Sequence, residues 1–273
     1  MISRSGLKQG ILWLIAGGLP LTAFGQDTRR IAPLPGDPME LVTGQIQVAR
    51  ESADRESVLR LLARARNRYM LRKAGQAWDL KVRFTVNSGG ETNYDGAWEM
   101  EDVFAPGQGL HWTAKSDSGY SISGIFADKA LYAEGTSSAI PLRLQEARAM
   151  LFNPLPSVAY AGGGSIRTTA ASFRGSPVTC VLLARSRNVA YPALGRGWDE
   201  AEECIDPQSG LLRVHSEVPG RYAVYDYSSA PQLGSHLLPR SVTITEGGRI
   251  VSTISVESLQ GISTPDPSLF VPT

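Results

Sequence analysis

The residues able to do chemistry are few, and they do not converge. Each of the three histidines, His111, His215 and His236, falls in or beside a stretch that reads as a strand. None has a partner at a spacing that general acid–base work uses. No HExxH metal motif is present. Gly119-Tyr120-Ser121-Ile122-Ser123 approaches the GxSxG nucleophile elbow and fails at its last position. Gly162-Gly163-Gly164-Ser165 is glycine-rich but lacks the lysine that a phosphate loop needs. Glu99, Glu101 and Asp102 lie close along one strand, and Glu99 and Glu101 share a face that could offer oxygens to a hard cation. Trp98 and Met100 alternate to the other side, so a solvated strand face is the expected reading. Glu202 and Glu203, beside Cys204, read the same way. The expectation is a chain without catalytic residues, metal or cofactor.

The apolar residues are more informative. Trp78, Leu80, Val82, Phe84 and Val86 alternate with Asp79, Lys81, Arg83 and Thr85. That period of 2 is a half-buried antiparallel strand with one wet face. Tyr94 to Met100, Leu110 to Ala114, Tyr120 to Phe126 and Ala130 to Ala133 follow, separated by turns such as Ala105-Pro106-Gly107-Gln108-Gly109. Consecutive strands on short turns make a meander. Before it, Val58, Leu61, Leu62, Ala65 and Tyr69 recur at helical spacing over about Asp54 to Lys73, with Asp54 placed to cap the first turn. Arg60, Arg64, Arg68 and Arg72 form a basic stripe beside that face. A contact with an anionic surface and an ordinary solvated helix side both fit it, and the second is expected.

A second helix, Leu142 to Phe152, interrupts the meander and is ended by Pro154 and Pro156. Gly162 to Gly164 then reads as a flexible link. Strands resume at Ser165–Phe173, Pro177–Arg185, Cys204 with Gly210–Ser216, Arg221–Tyr227, Leu238–Glu246 and Arg249–Leu259. Residues 186–200 read as a long loop, and the proline-containing tail from Thr264 is expected along a sheet edge. So few helices cannot cover so many strand faces unless the sheet curls onto them. The expected fold is mainly β (α+β), a curved antiparallel sheet forming an open, unclosed barrel around two or three helices.

The N-terminus addresses location. Arg4 and Lys8 precede a short apolar core, Ile11 to Leu19, broken by Pro20. Ala23-Phe24-Gly25 offers the small residues that a signal peptidase reads, so cleavage is expected before Gln26 and the site of action is expected to be the periplasm. The apolar run falls short of the roughly 20 residues of a spanning helix. No cysteine follows it, which argues against a lipid-modified N-terminus. The expected division is a signal at 1–25, a flexible leader at 26–50 with a short helix over about 40–50, and one domain at 51–273. With 27 basic and 26 acidic residues, the chain offers no basic excess for nucleic acid. Its two cysteines, Cys180 and Cys204, read as a disulfide in an exported protein.

In order and pattern the chain resembles the LolA/LolB-like superfamily of periplasmic proteins, which includes the outer-membrane lipoprotein carrier and related sensors of envelope stress. The resemblance runs over about residues 54–271. It rests on the helix before a strand with Phe84, on Gly96-Ala97-Trp98-Glu99, and on the interrupting helix. At the end it rests on Leu238-Pro239-Arg240, Gly247-Gly248-Arg249, Val256-Glu257-Ser258-Leu259 and Pro267-Ser268-Leu269-Phe270. It implies a half-barrel closed by helices, whose concave apolar face holds a lipid or the acyl chains of a lipoprotein. The residues expected on that face and its helical lid are Phe84, Trp98, Met100, Trp112, Ile122, Phe126, Leu144, Met150 and Leu151. A dry packed core fits the same residues. A partner in the inner or outer membrane is the further expectation, and a sensor acting through protein contacts is the alternative.

Overall fold

A computed structural model describes residues 41–48, 52–87, 89, 95–127, 130–135, 142–185 and 196–271, with backbone alone at 41–48, 52–53, 127 and 130–135. The expected signal (1–25), the leader before residue 41 and most of the 186–200 loop lie outside the described residues. Among those described, no helix is long and apolar enough to cross a membrane.

The chain runs β1 (Leu41–Val48), α1 (Ser52–Tyr69), a 3-10 turn (Leu71–Lys73), then β2 (Ala77–Val86), β3 (Gly96–Ala105), β4 (Gly109–Ser116), β5 (Ser121–Ala127) and β6 (Ala130–Gly135). Helices α2 (Leu142–Phe152) and α3 (Val158–Gly163) follow. The second run of strands is β7 (Ser165–Phe173), β8 (Ser176–Ala184), β9 (Glu200–Ile205), β10 (Leu212–Val218), β11 (Arg221–Asp226), the small pair β12 (Gln232–Leu233) and β13 (His236–Leu237), β14 (Ser241–Glu246) and β15 (Arg249–Ile262). A closing 3-10 turn spans Pro267–Phe270.

Thirteen of these strands form one antiparallel sheet in the order β1-β7-β8-β9-β10-β11-β14-β15-β2-β3-β4-β5-β6. The two meanders join where β15 pairs β2, and the order ends at β1 and β6, so the sheet is open. This topology places the helices. Strand β6 is one edge and β7 lies near the other, so the segment carrying α2 and α3 must cross a whole face. Helix α1 crosses part of the same face between β1 and β2.

Flat, thirteen strands at about 4.8 Å spacing would be roughly 58 Å wide. Yet side chains from β2–β5, from β7–β12, from β14 and β15 and from all three helices share one core cluster. The sheet therefore curls, and its concave face closes on the helices. The rows of that face follow the strand register. Val256, Val82, Met100, Ala114 and Ile122 form one row, and Leu259, Leu80, Asp102, Trp112 and Gly124 the next. Gly124 is glycine because of its neighbour: a Cβ there would stand 2.3 Å from Trp112 Nε1.

Several expectations change. Residues 41–48 are a strand paired with β7 and not the short helix expected over 40–50, so this part of the 26–50 leader belongs to the sheet. Its Val42, Thr43, Ile46 and Val48 favour extended backbone, and they cover an edge that β7 would otherwise expose. Helix α1 starts at Ser52, which puts Asp54 inside its first turn and not at the cap. The glycine link is helix α3 in part, started by Ser157, whose hydroxyl accepts from Tyr160 N. The tail does not follow an edge. Its Phe270 packs on the convex face against Ala77, Val103 and Ala105.

Cys180 and Cys204 sit opposite each other on β8 and β9 and are disulfide-bonded. They belong to a second, convex-side cluster with Phe173, Val178, Val214 and Tyr222. A loop of this size makes the bond worth about 3 kcal/mol by chain entropy. Replacing both cysteines by serine should lower the unfolding free energy by at least that amount, because it also places two hydroxyls in a fully buried site. Denaturant unfolding of the two proteins measures it, and a loss under about 1 kcal/mol would contradict the assignment.

Candidate functional site

The concave face is built by period-2 strands under a helix of period 3.6. Trp78, Phe84, Trp98, Met100, Trp112 and Ile122 point from β2–β5 into the core. Trp98 stacks on Phe84 at 5.6 Å between centroids and meets Tyr120 at 5.3 Å. Trp78 stacks on Phe104 at 5.5 Å and on Phe152 of α2 at 6.3 Å. From α2, Leu144, Ala147 and Leu151 bury one stripe of the helix. Met150 and Phe126 are partly buried and pack against the same core. All nine residues expected on the face and lid thus lie on or against one surface. In this conformation that surface is filled, since Phe84, Trp98, Met100, Trp112, Ile122, Leu144 and Leu151 are at most 3% exposed.

What holds α2 down is polar. The Arg148 guanidinium donates to both carboxylate oxygens of Asp102, at 2.6 and 3.0 Å. It lies over the rings of Trp112 (4.6 Å) and Phe152 (5.3 Å). Asp102 is fully buried. Burial pushes its carboxyl above the ordinary value, against the pull of Arg148. Asp102 is two residues beyond Met100, so strand parity alone puts it inward and off the wet face that carries Glu99 and Glu101. Those two glutamates are on the convex side, paired with Arg83 at 3.0 Å and Lys81 at 3.2 Å.

A second set of ions pins the start of α2. Arg143 reaches Glu246 at 2.8 Å and Glu146 at 2.9 Å, and Arg221 pairs with both Glu246 and Glu146. The hydrogen bond from Arg143, opposed by partial burial and aided by Arg221, holds the Glu246 carboxyl below its ordinary value of 4.5. A depressed folded-state value means that the unfolded chain binds this proton more readily. The contribution is complete above pH 4.5 and is lost as pH falls through the depressed value. Hydrogen exchange, corrected for intrinsic rates, should therefore show α2 losing protection as pH falls below 4.5, ahead of β2. Glu246→Gln should produce part of that loss at pH 7, and equal protection of the two elements in every case would contradict the assignment.

Glu202 and Glu203 are both buried, contrary to the solvated face expected for them. Glu203 faces the concave side, 2.9 Å from His215 Nδ1 on β10. Burial opposes the charge on His215, and Glu203 nevertheless raises its imidazole above the ordinary value. Glu202 lies on the convex side with Arg196, which donates to Ser216 Oγ at 2.6 Å. Beside it Arg167 pairs with Glu200 through Nε at 2.7 Å and through a second nitrogen. These ions anchor the end of the 186–200 segment over the sheet. Cys180, Glu202 and Cys204 lie close enough together to suggest a metal set, but the disulfide takes both sulfurs. His111 is half-buried, and His236 on β13 meets α1, with Nδ1 2.9 Å from Asn67 O.

The arginine stripe is more than a solvated side. Arg60 pairs with Glu56, but Arg64 donates to Pro207 O and Arg68 to Ser235 O at 3.3 Å. These two hold the loops that overhang α1. On a neighbouring side Arg55 fixes α3 through Gly162 O at 2.6 Å and Gly164 O at 2.8 Å.

Fold and face together define an open antiparallel half-barrel whose concave side is closed by its own helices. No family model matches the chain, and no curated protein matches it. Among solved structures it is similar to a LolA superfamily protein from Nitrosomonas europaea, at 10% identity and a TM-score of 0.44, over 78% of this chain and 96% of that one. It is also similar to a DUF1329 family protein from Desulfovibrio piger, at 9% identity and a TM-score of 0.47, over 79% and 96%. The structure of MucB aligns at 11% identity and a TM-score of 0.33, over 81% of this chain and 64% of that one.

Proposed function

We propose that this chain is an exported, non-catalytic binding protein of the periplasm that takes a lipid, or the acyl chains of a lipoprotein, on its concave face. The observation that carries the reading is the form of that face. Its walls are aromatic and aliphatic, and its cover, α2, is held by side-chain ion pairs at Arg148 and Arg143. Lifting α2 would uncover Trp98, Met100, Trp112 and Ile122 together. Each buried CH₂ of a chain would then contribute about 0.8 kcal/mol without needing a hydrogen-bond partner. Removal of residues 1–25 by a signal peptidase is part of the same proposal.

The filled state of the face favours one other reading, a sensor or interaction protein with a packed core whose partner adds to an open sheet edge at β1 or β6. Native mass spectrometry of the mature protein, prepared from a periplasmic extract without detergent, separates the two. Acyl binding predicts a mass excess that dissociates as a lipid species, or uptake of added phospholipid. A clean apo mass with no uptake sinks the acyl reading and leaves the sensor.

A further inference from the structure

Arg72 differs from the rest of its stripe. It follows α1 in the 3-10 turn and lines a cleft of about 220 Å³ at one end of the concave face. The walls are Phe104, Leu110 and Phe126, with the Gly107-Gln108-Gly109 turn as a rim. These apolar residues stand in one register row with Trp78, so the cleft opens beside the core and is continuous with its concave lining. The guanidinium lies 5.1 Å above the Phe126 ring. Among the described residues no carboxylate pairs with it. The nearby acid, Asp102, is already engaged at both oxygens by Arg148. Arg148 thus takes the one acid near both guanidinium groups, and the cleft keeps a positive charge against apolar walls. Behind the Phe104 wall, in the core and outside the cleft lining, another polar group lacks a partner. The indole N–H of Trp78, whose ring stacks on the cleft wall at Phe104, is buried without an acceptor. A Cβ on Gly107 would meet nothing within 4 Å, so the rim stands open.

We infer that this cleft is a head-group subsite for an anionic amphiphile, with a phosphate or carboxylate on Arg72 and the chain running over Phe104, Leu110 and Phe126 into the concave face. The inference rests on the acyl-binding reading above and adds the charge of the ligand to it. Partial burial and the charge of Arg148 both disfavour the Arg72 cation; an incoming anion relieves that cost, and a charge-assisted hydrogen bond is about twice as strong as a neutral one. Neutral and zwitterionic heads gain less, because they bring no net negative charge to the cleft.

The test uses the mature protein with lysophosphatidylglycerol and lysophosphatidylcholine of the same chain length, both below their micellar concentrations, and inorganic phosphate alone. Binding is read from tryptophan fluorescence. The expected result is a preference of about tenfold or more for the anionic lipid and no response to phosphate. Arg72→Gln should abolish the preference by weakening the anionic lipid about tenfold or more, with a much smaller loss for lysophosphatidylcholine, in a protein that circular dichroism shows to be folded. Equal binding of the two lipids by the unmodified protein would overturn the subsite and leave the acyl reading standing. So would a preference that survives Arg72→Gln. Phosphate binding as tightly as the lipid would make this a free-anion site and overturn the inference. Binding of neither lipid would overturn both it and the acyl reading.

Discussion

Arg148→Met should lower the unfolding free energy by about 3–5 kcal/mol, the range for removing one partner of a buried ion pair. The size comes from Asp102, which has no solvent exposure and receives two hydrogen bonds from Arg148. Without the guanidinium, the carboxylate is charged and unpaired in an apolar row between Leu80 and Trp112. Its folded-state value, already raised by burial, must rise further. The folded variant then binds this proton more readily than the unfolded chain, so its stability recovers as pH falls. The deficit against the unmodified protein should shrink from pH 7 toward pH 4. Asp102→Leu combined with Arg148→Met removes both charges and should restore most of the loss at pH 7. Urea unfolding of the four proteins of this cycle measures all three expectations. A loss below about 1 kcal/mol, or a double variant no better than the single, would show that Arg148 does not hold α2 to β3.

Trp98→Ala should cost a comparable amount, about 3–5 kcal/mol, through lost transfer energy and the cavity left behind. Trp98 is 1% exposed and packs between Phe84 and Tyr120. Trp198 provides the internal control. It is 77% exposed, and Trp198→Ala should stay within about 0.5 kcal/mol of the unmodified protein. The two variants also separate packing from binding. A cavity at Trp98 lies where an acyl chain would lie, so added lipid should stabilise Trp98→Ala at least as much as it stabilises the unmodified protein. Thermal shift with and without lysophospholipid reads this, and a folded variant with a smaller lipid-dependent shift than the unmodified protein would show that the chain does not fill the space Trp98 leaves.

The elements most legible in the sequence are those whose two faces differ in chemistry. The alternation of Trp78 to Val86 with charged residues gave β2, the stripe Leu144, Ala147 and Leu151 gave α2, and Ser165–Phe173 coincides with β7. Strand β9 was harder. Its sequence, Glu200-Ala201-Glu202-Glu203-Cys204-Ile205, has no apolar alternation, because both faces carry glutamates. Those glutamates are buried against Arg167, Arg196 and His215, which no local pattern reveals. Asp102 was legible in principle, since parity places it with Trp98 and Met100. Its partner, 46 residues away on α2, was not. The apolar face could be assembled from periodicity, whereas the ions that close it depend on long-range register.

The central claim is that acyl chains enter the concave face when α2 lifts, and quenching by brominated acyl chains tests it most directly. In protein prepared without residues 1–25, Trp198→Phe leaves Trp78, Trp98 and Trp112 as the tryptophans, all on that face. Because bromine quenches only at near contact, a phospholipid brominated in mid-chain should reduce the emission strongly, and its unbrominated counterpart should not. Saturable quenching that Arg148→Met accelerates is the predicted result. Emission unchanged by brominated lipid, with the protein folded and the lipid in excess, would contradict the claim.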